Sequence, residues 1–199
     1  MMMERLASPH GPTGGKIVRP SDGKTPATIA FVQCAGSRDD AHLRYCSGLC
    51  CMASAKQIRY VRAQHPNAEI FVFYIDRRAV GRHETFIAET ERDEKVHYVA
   101  GKVARITPEG EMLVLELEDT GQGKKIKQKV DLVVLATGMA PSQPSGSLAT
   151  DGYGFLLREQ GSAGQWTAGC ARGPMDVATA VRDATAAVLR ALEQPPAEG

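Results

Sequence analysis

Three short runs that are apolar on both sides of the backbone constrain this chain most. Ala27 to Gln33 (ATIAFVQ), Glu69 to Ile75 (EIFVFYI) and Leu132 to Ala136 (LVVLA) are rich in β-branched and aromatic residues. Largely unbroken by polar positions, each predicts a strand buried on both faces, as parallel sheets require. Between the first two, Leu49 to Gln64 predicts a helix. Leu49, Met52, Ala53, Lys56, Tyr60 and Gln64 share a stripe that Ala55, Ile58 and Val61 widen, and Pro66 stops it. A short helix over His83 to Arg92 and a strand over Val96 to Val99 follow. The order β-α-β-α-β is that of a parallel sheet covered by helices.

The pattern then changes. Lys102 to Ile106, Glu111 to Glu118 and Lys124 to Val130 alternate apolar and polar residues. Pro108-Glu109-Gly110 and Thr120-Gly121-Gln122-Gly123 separate them, so an antiparallel meander is expected. Residues 141–165 are loop-rich, Trp166 to Ala168 predicts a last short strand, and Gly173-Pro174 opens a helix to about Leu192. Val177, Val181, Ala184, Val188 and Leu192 form its apolar stripe. Residues 1–26, dense in Gly, Pro, Ser and Asp, predict a linker, and QPPAEG a frayed tail. The expected division is 1–26 linker, 27–130 first lobe, 131–193 C-terminal segment and 194–199 tail.

The 199 residues carry 24 Lys+Arg against 23 Asp+Glu, a formal charge of +1. A dedicated nucleic-acid binder would be strongly basic, so that class is not expected. Hydrophobic content of 43% with 24% charged residues suits a packed globular chain rather than a disordered one. No apolar run is long enough to span a bilayer, and MMMERLASPH has no apolar signal core. The expected compartment is the cytoplasm.

Cysteine placement says more than cysteine number. Cys34, Cys46, Cys50 and Cys51 fall within eighteen residues, spaced C-x11-C-x3-C-C, while Cys170 stands alone. Clustered thiols in a reducing compartment suit a soft metal or redox chemistry. Adjacent cysteines at a helix start fit structural zinc poorly, since zinc favours C-x2-C pairs. An iron–sulfur cluster accepts thiolates from less regular spacings, and free N–H groups at the helix start support them. Zinc, a redox thiol pair and unliganded core cysteines remain alternatives at this level.

A second constellation sits toward the end. A strand running into Ala136-Thr137-Gly138, then Trp166-Thr167-Ala168-Gly169 and a Gly-Pro helix start, places small residues where backbone can approach an anionic ligand. A plain strand–helix unit with an ordinary cap gives the same letters. Cys170 reads as a small turn residue, and the five histidines show no metal spacing. Arg77, Arg78 and Arg82 follow a strand end, where anions bind in α/β sheets, but a solvated charge run explains them as well. No G-x-G-x-x-G follows any predicted strand.

Five blocks carry a resemblance. GPTGGKIVRPSDGKTPATIAFVQCAGSRD, YCSGLCCMASAKQ, FYIDRRAVGRHETF, DLVVLATGMAPS and AGCARGPMDVATAVRDATAAVL resemble the flavin-binding A subunit of heterodisulfide reductase, from about Gly11 to Glu193. Within that family, the A subunit of the quinone-interacting membrane-bound oxidoreductase is the nearest likeness. The resemblance implies an α/β, thioredoxin-reductase-like fold with two dinucleotide-binding domains, present in part. Residues 27–130 would match the NAD(P)-binding-like lobe, with its β-meander and cysteines in place of the dinucleotide loop. Residues 131–193 would match the C-terminal part of the FAD domain.

The family's cluster cysteines map onto Cys34, Cys46, Cys50 and Cys51. Its flavin contacts map onto Thr137, Gly138, Gly169, Cys170, Arg172, Pro174, Met175, Asp176 and Val177. The family's N-terminal strand and glycine fingerprint for the ADP half of FAD have no counterpart. The chain is therefore expected to start within the interdomain linker, as a truncated chain, a fragment of a split gene or a subunit that borrows the missing half. The implied function is an oxidoreductase subunit or fragment, catalytically incomplete alone, passing electrons between FAD and a [4Fe–4S] cluster. Its partners would be other subunits of an electron-transfer complex, one of them attached to a membrane, and a chain supplying the missing FAD half. The rivals are a zinc- or thiol-stabilised interaction module and a thiol-redox enzyme using Cys50 or Cys51.

Overall fold

The structure, a computed structural model, describes residues 2–79, 83–142, 148–157 and 165–193. Arg82 of the basic group, parts of the loop-rich stretch and the tail 194–199 lie outside the described residues. Two compact units divide the chain. The first comprises residues 1–46 and 50–138, and the second residues 47–49 and 139–199.

The first unit is built on a four-stranded parallel sheet. Its strands are β1 (Thr28–Val32), β2 (Glu69–Tyr74), β3 (Val96–Ala100) and β7 (Leu132–Leu135), in the order β3-β2-β1-β7. Central β1 is covered on both sides, which is why its sequence is continuously apolar. Ile29 and Phe31 pack with Ile58 and Val61 of helix α2 (Cys50–Gln64) and with Ile70, Val72 and Val96. Ala30 and Val32 face the other way, toward Leu115, Leu117 and Val130.

Those last residues belong to the predicted meander, a separate three-stranded antiparallel sheet of β4 (Val103–Glu109), β5 (Met112–Asp119) and β6 (Lys124–Val130). Asp119 shapes the β5–β6 turn. Its Oδ1 accepts from the Gly121 and Gln122 N–H groups, and Gly123 takes the left-handed φ of +64° there.

The stretch expected as a linker is ordered instead. Met2–Ala7 forms a helix, α1, burying Met3 and Leu6, and Ile17 is fully buried in the core under α2. Ile17, with Val18, stands out in the sequence as a short apolar island, whereas the turn-rich composition hides the roles of Met3 and Leu6. Gln64 fixes the segment further, accepting from the Ile17 N–H at 2.9 Å and donating to the Gly15 carbonyl at 2.8 Å.

Helix α2 buries Ser54, Ala55, Gln57, Ile58 and Val61. The stripe expected to lead, through Ala53 and Lys56, faces outward, and Lys56 pairs with Glu4. The sheet selects the face with smaller and branched side chains. Helix α3 (Glu84–Glu91) lies against α2 and buries Ile87 and Thr90.

Strand β7, assigned from sequence to the C-terminal segment, pairs with β1 inside the first unit. In the second unit, Trp166 to Ala168 adds no strand to either sheet, and Thr150 and Leu156 make an isolated antiparallel bridge. Helix α4 (Val177–Glu193) is formed as predicted, but its apolar stripe is not a core stripe. Val177, Val181, Val188 and Leu192 are exposed, and Ala187 is the buried residue among those described.

Asp131 ties the amino ends of β1 and β7. Its Oδ2 accepts from the Ala27 N–H, the Thr28 N–H and the Thr28 hydroxyl at 2.8–2.9 Å, and Oδ1 faces Arg19 at 3.5 Å. Burial works to raise its pKa. The hydrogen bonds from Thr28 and Ala27 and the Arg19 charge overcome that, so its carboxyl sits below the usual range. A depressed folded value means that this stabilisation is present above the unfolded value of about 3.9 and is lost as pH falls through the folded value. Asp131→Ala is expected to lower stability at pH 7 by about 1–3 kcal/mol, read by urea denaturation, because three donors lose their acceptor. The difference from the parent should shrink on acidification below pH ~4.

Candidate functional site

Parallel α/β sheets place their sites at the carboxyl ends of the strands, and the cysteines gather there. β1 stops at Val32. Gln33 bonds back to β2 through its N–H and the Phe73 carbonyl, and Cys34 turns the chain with a left-handed φ of +55°. Gly36 follows at φ +96°. The loop is fastened to the end of β7: the Ala35 N–H donates to the Ala136 carbonyl at 3.1 Å, and the buried Ser37 hydroxyl donates to the Thr137 carbonyl at 2.9 Å. Within the loop, the Leu43 N–H donates to Gly36 and the Arg38 N–H to Tyr45. This folding brings Cys46 back toward Cys34. Cys50 and Cys51 open helix α2, whose first turn holds no acidic residue.

Cys34 is buried, Cys46, Cys50 and Cys51 are half-buried, and none of them is in a disulfide. Burial pushes the Cys34 thiol up in pKa. Arg38 opposes this, by charge and by a hydrogen bond, and the charges of Cys46 and Cys51 add to the rise. Burial also pushes Cys51 up. The Arg78 N–H, 3.5 Å from its sulfur, opposes, and Cys46 and Asp76 add to the rise. Cys34, Cys46 and Cys51 therefore lie within one another's field. Such a set is unfavourable as several thiolates alone, and a soft cation relieves it.

Among the described residues, no group of three or more His, Cys, Asp or Glu side chains is arranged to hold a single metal ion. The donors present are four soft sulfurs, a helix N-terminus and the Arg78 N–H at 3.5 Å from the Cys51 sulfur, and their chemistry suits a soft centre. A groove of about 570 Å³ runs past Cys34 between Gly36, His42, Lys102 and Arg105. From the sequence Arg78 reads as one of a solvated charge run, and nothing local marks Arg38, Asp76 or Gln33. Buried Gln33 Oε1 has no hydrogen-bond partner. Their placement just past β1 and β2 was the available signal.

The residues mapped as flavin contacts fall in both units. Thr137 and Gly138 end the first, with Thr137 exposed and Gly138 at φ +95°. The others lie in the second. Gly169 opens a 3₁₀ turn (Gly169–Ala171) at φ +64°, and its N–H donates to Asp183 at 2.9 Å. Arg172 also pairs with Asp183, and its Nε is buried without a partner. The Cys170 thiol donates to the Met175 carbonyl at 3.6 Å. Asp176 caps α4, accepting the Thr179 N–H at 2.6 Å. The side chains of Asp183 and Asp176 thus shape this turn and helix start, and the orphaned Arg172 Nε is a donor suited to an anionic group.

The fold defines a class. The chain resembles the thioredoxin reductases of Lactococcus lactis (TM-score 0.59, 12% identity, covering 83% of this chain and 52% of that one) and of T. acidophilum (TM-score 0.57, 15% identity, 81% and 50%). L-lysine 6-monooxygenase from Pseudomonas syringae is also similar (TM-score 0.54, 14% identity, 85% and 54%). These are α/β folds with two dinucleotide-binding domains, and at such identity the likeness concerns the fold alone.

Sequence comparison narrows the relationship. The chain is homologous to a segment of the A subunit of CoB–CoM heterodisulfide reductase. It is 38% identical to the second iron–sulfur A subunit of Methanopyrus kandleri over 208 residues, 95% of this chain and 32% of that one. It is 34% identical to the iron–sulfur A subunit of Methanocaldococcus jannaschii over 215 residues, 99% and 33% respectively. The chain thus spans about a third of the length of these curated relatives. No protein-family model matches it.

Two substitutions separate the fastened loop from the open helix. Ser37→Ala is expected to cost about 1 kcal/mol in urea denaturation, since the buried donor to Thr137 is lost. Val181→Gln, on the exposed stripe of α4, should stay within about 0.5 kcal/mol of the parent in the same measurement.

Proposed function

We propose that this chain is an electron-transfer component of a heterodisulfide-reductase-like complex, carrying a [4Fe–4S] cluster on Cys34, Cys46, Cys50 and Cys51. The observation that carries the reading is the placement of Cys34 in the turn just past the carboxyl end of β1 and of Cys50 and Cys51 at the start of α2. The names of the relatives, as iron–sulfur subunits, support it. A cluster of this kind exchanges single electrons and FAD exchanges pairs, so together they couple two-electron chemistry to a one-electron relay.

The chain's own residues have distinct parts in this. Cys34 is presented by a left-handed turn that β7 holds in place. Cys50 and Cys51 ride on a helix start whose N–H groups stabilise anionic sulfur. The Arg78 N–H donates to Cys51 sulfur, and donors of that kind raise a cluster's reduction potential. In the same reading, Thr137, Gly138, Gly169, Cys170, Arg172, Pro174, Met175, Asp176 and Val177 contribute one side of an FAD site.

Val177, Val181, Val188 and Leu192 leave an exposed apolar stripe along α4. Contiguous apolar surface of this kind marks an interaction site. The wider assignment is to the cytoplasm, with other subunits as partners, in a heterodisulfide-reductase or quinone-interacting complex. No helix among the described residues is long and apolar enough to cross a membrane. In this reading, membrane attachment is through a partner.

Iron, acid-labile sulfide, zinc and flavin per chain after anaerobic reconstitution test the reading. The expected result is about four irons and four sulfides per chain, as a [4Fe–4S] centre requires. Cys34→Ser and Cys51→Ser should each lose most of that iron. Zinc without sulfide would overturn the cluster, and so would four free thiols with no metal.

A further inference from the structure

The charged side chains around the cysteines are organised by one carboxylate. Asp76 follows β2 by two residues. Its Oδ1 accepts from Arg38 Nη1 at 2.5 Å and from Arg78 Nε at 3.4 Å, and its Oδ2 accepts from Arg78 Nη2 at 3.3 Å. Each arginine reaches a different cysteine-bearing segment. The Arg38 charge acts on the Cys34 thiol, and the Arg38 backbone, at a left-handed φ of +55°, is tied through its N–H to Tyr45, the residue before Cys46. The Arg78 N–H meets Cys51 sulfur, and its guanidinium lies in the field of Cys46 and Cys34.

The side chains of Arg38, Asp76 and Arg78 are 26%, 45% and 51% exposed. Ion pairs this open add little to stability and hold long side chains in place only at an entropic cost. A carboxylate shared by two guanidinium groups lessens that cost, because the group fixed by one arginine is already placed for the other. The two cations are thereby kept beside the thiols instead of swinging into solvent.

We propose that Asp76 is a positioning residue. It anchors Arg38 and Arg78 against the cysteine cluster, so that two cations held by one anion set the electrostatic field at the ligand sulfurs. This rests on the cluster assignment above. A cation held near an anionic iron–sulfur centre favours its reduced, more negative form, and the effect fades when the cation is free to move away.

The test is a double-mutant cycle on the full chain, reconstituted anaerobically, with the cluster's midpoint potential followed by spectroelectrochemical titration. Arg38→Gln is expected to shift the midpoint to more negative potential. In an Asp76→Asn background the same substitution should shift it by less than half as much, and in an Asp76→Glu background the full shift should return. Additive shifts would overturn the proposal, since Asp76 would then act only as a separate charge, as would an Arg38→Gln midpoint equal to the parent's.

A second cycle, in urea on the metal-free chain, reads the anchoring without the cluster. Asp76→Asn and Arg38→Gln should couple by about threefold in the unfolding constant, and no coupling overturns the anchoring. Should the parent chain take up no iron, the cluster assignment fails on that result. The urea cycle then decides by itself whether Asp76 anchors Arg38.

Discussion

The first unit depends on where β1 stops. That strand is paired on both edges and covered on both faces, so its residues have no freedom to shift register without exposing Phe31 or burying a polar group. The chain must leave the sheet after Val32. It does so through a left-handed Cys34 whose neighbours are fastened to the end of β7. One consequence is local, since a thiol is fixed at the carboxyl edge of a parallel sheet. The other is long-range: Thr137, about a hundred positions away in sequence, shares a hydrogen bond with the same loop.

Charge is used at both ends of that sheet in the same way. At the amino end, Asp131 gathers the first N–H groups of β1 and faces Arg19. At the carboxyl end, Asp76 gathers Arg38 and Arg78. A net charge of +1 conceals both arrangements. They differ in surroundings. Asp131 is mostly buried and accepts backbone N–H groups, which makes it a fold-stabilising contact. Asp76 is about half exposed, and among the described residues its ion pairs are with Arg38 and Arg78. Its value lies in geometry more than in stability.

Much of the fold was legible because parallel strands covered on both faces must be continuously apolar, while an antiparallel meander must alternate. ATIAFVQ and EIFVFYI followed the first rule and residues 102–130 the second. LVVLA, expected to be fully buried, is instead the edge strand β7, half-buried with Leu135 exposed, because β1 covers one of its two edges and, among the described residues, no strand pairs with the other. The leading segment was misread for a physical reason. Three buried side chains, Met3, Leu6 and Ile17, suffice to seat a stretch whose composition is otherwise that of turns. The α2 face was misjudged because helical periodicity gives a stripe without saying which of two adjacent stripes meets the sheet. In α4 the stripe was read correctly, yet periodicity carries no information on whether an apolar face is covered, and here it is exposed.

The sequence by itself determined the four clustered thiols, the parallel-plus-meander pattern and the likeness to the A subunit of heterodisulfide reductase, because each is written in local spacing or in extended identity. Only the tertiary structure decided that Arg38, Asp76 and Arg78 converge on the cysteines. It also decided that Asp183 and Asp176 are taken up in shaping the turn and helix start of the second unit. The contacts of Asp76 with Arg78 and of Asp176 with Thr179 are local, but those of Arg38 with Asp76 and of Asp183 with Gly169 and Arg172 join residues on different elements. No periodicity encodes them, since the distance between side chains is set by how strands and helices stack, and that is a property of the folded chain.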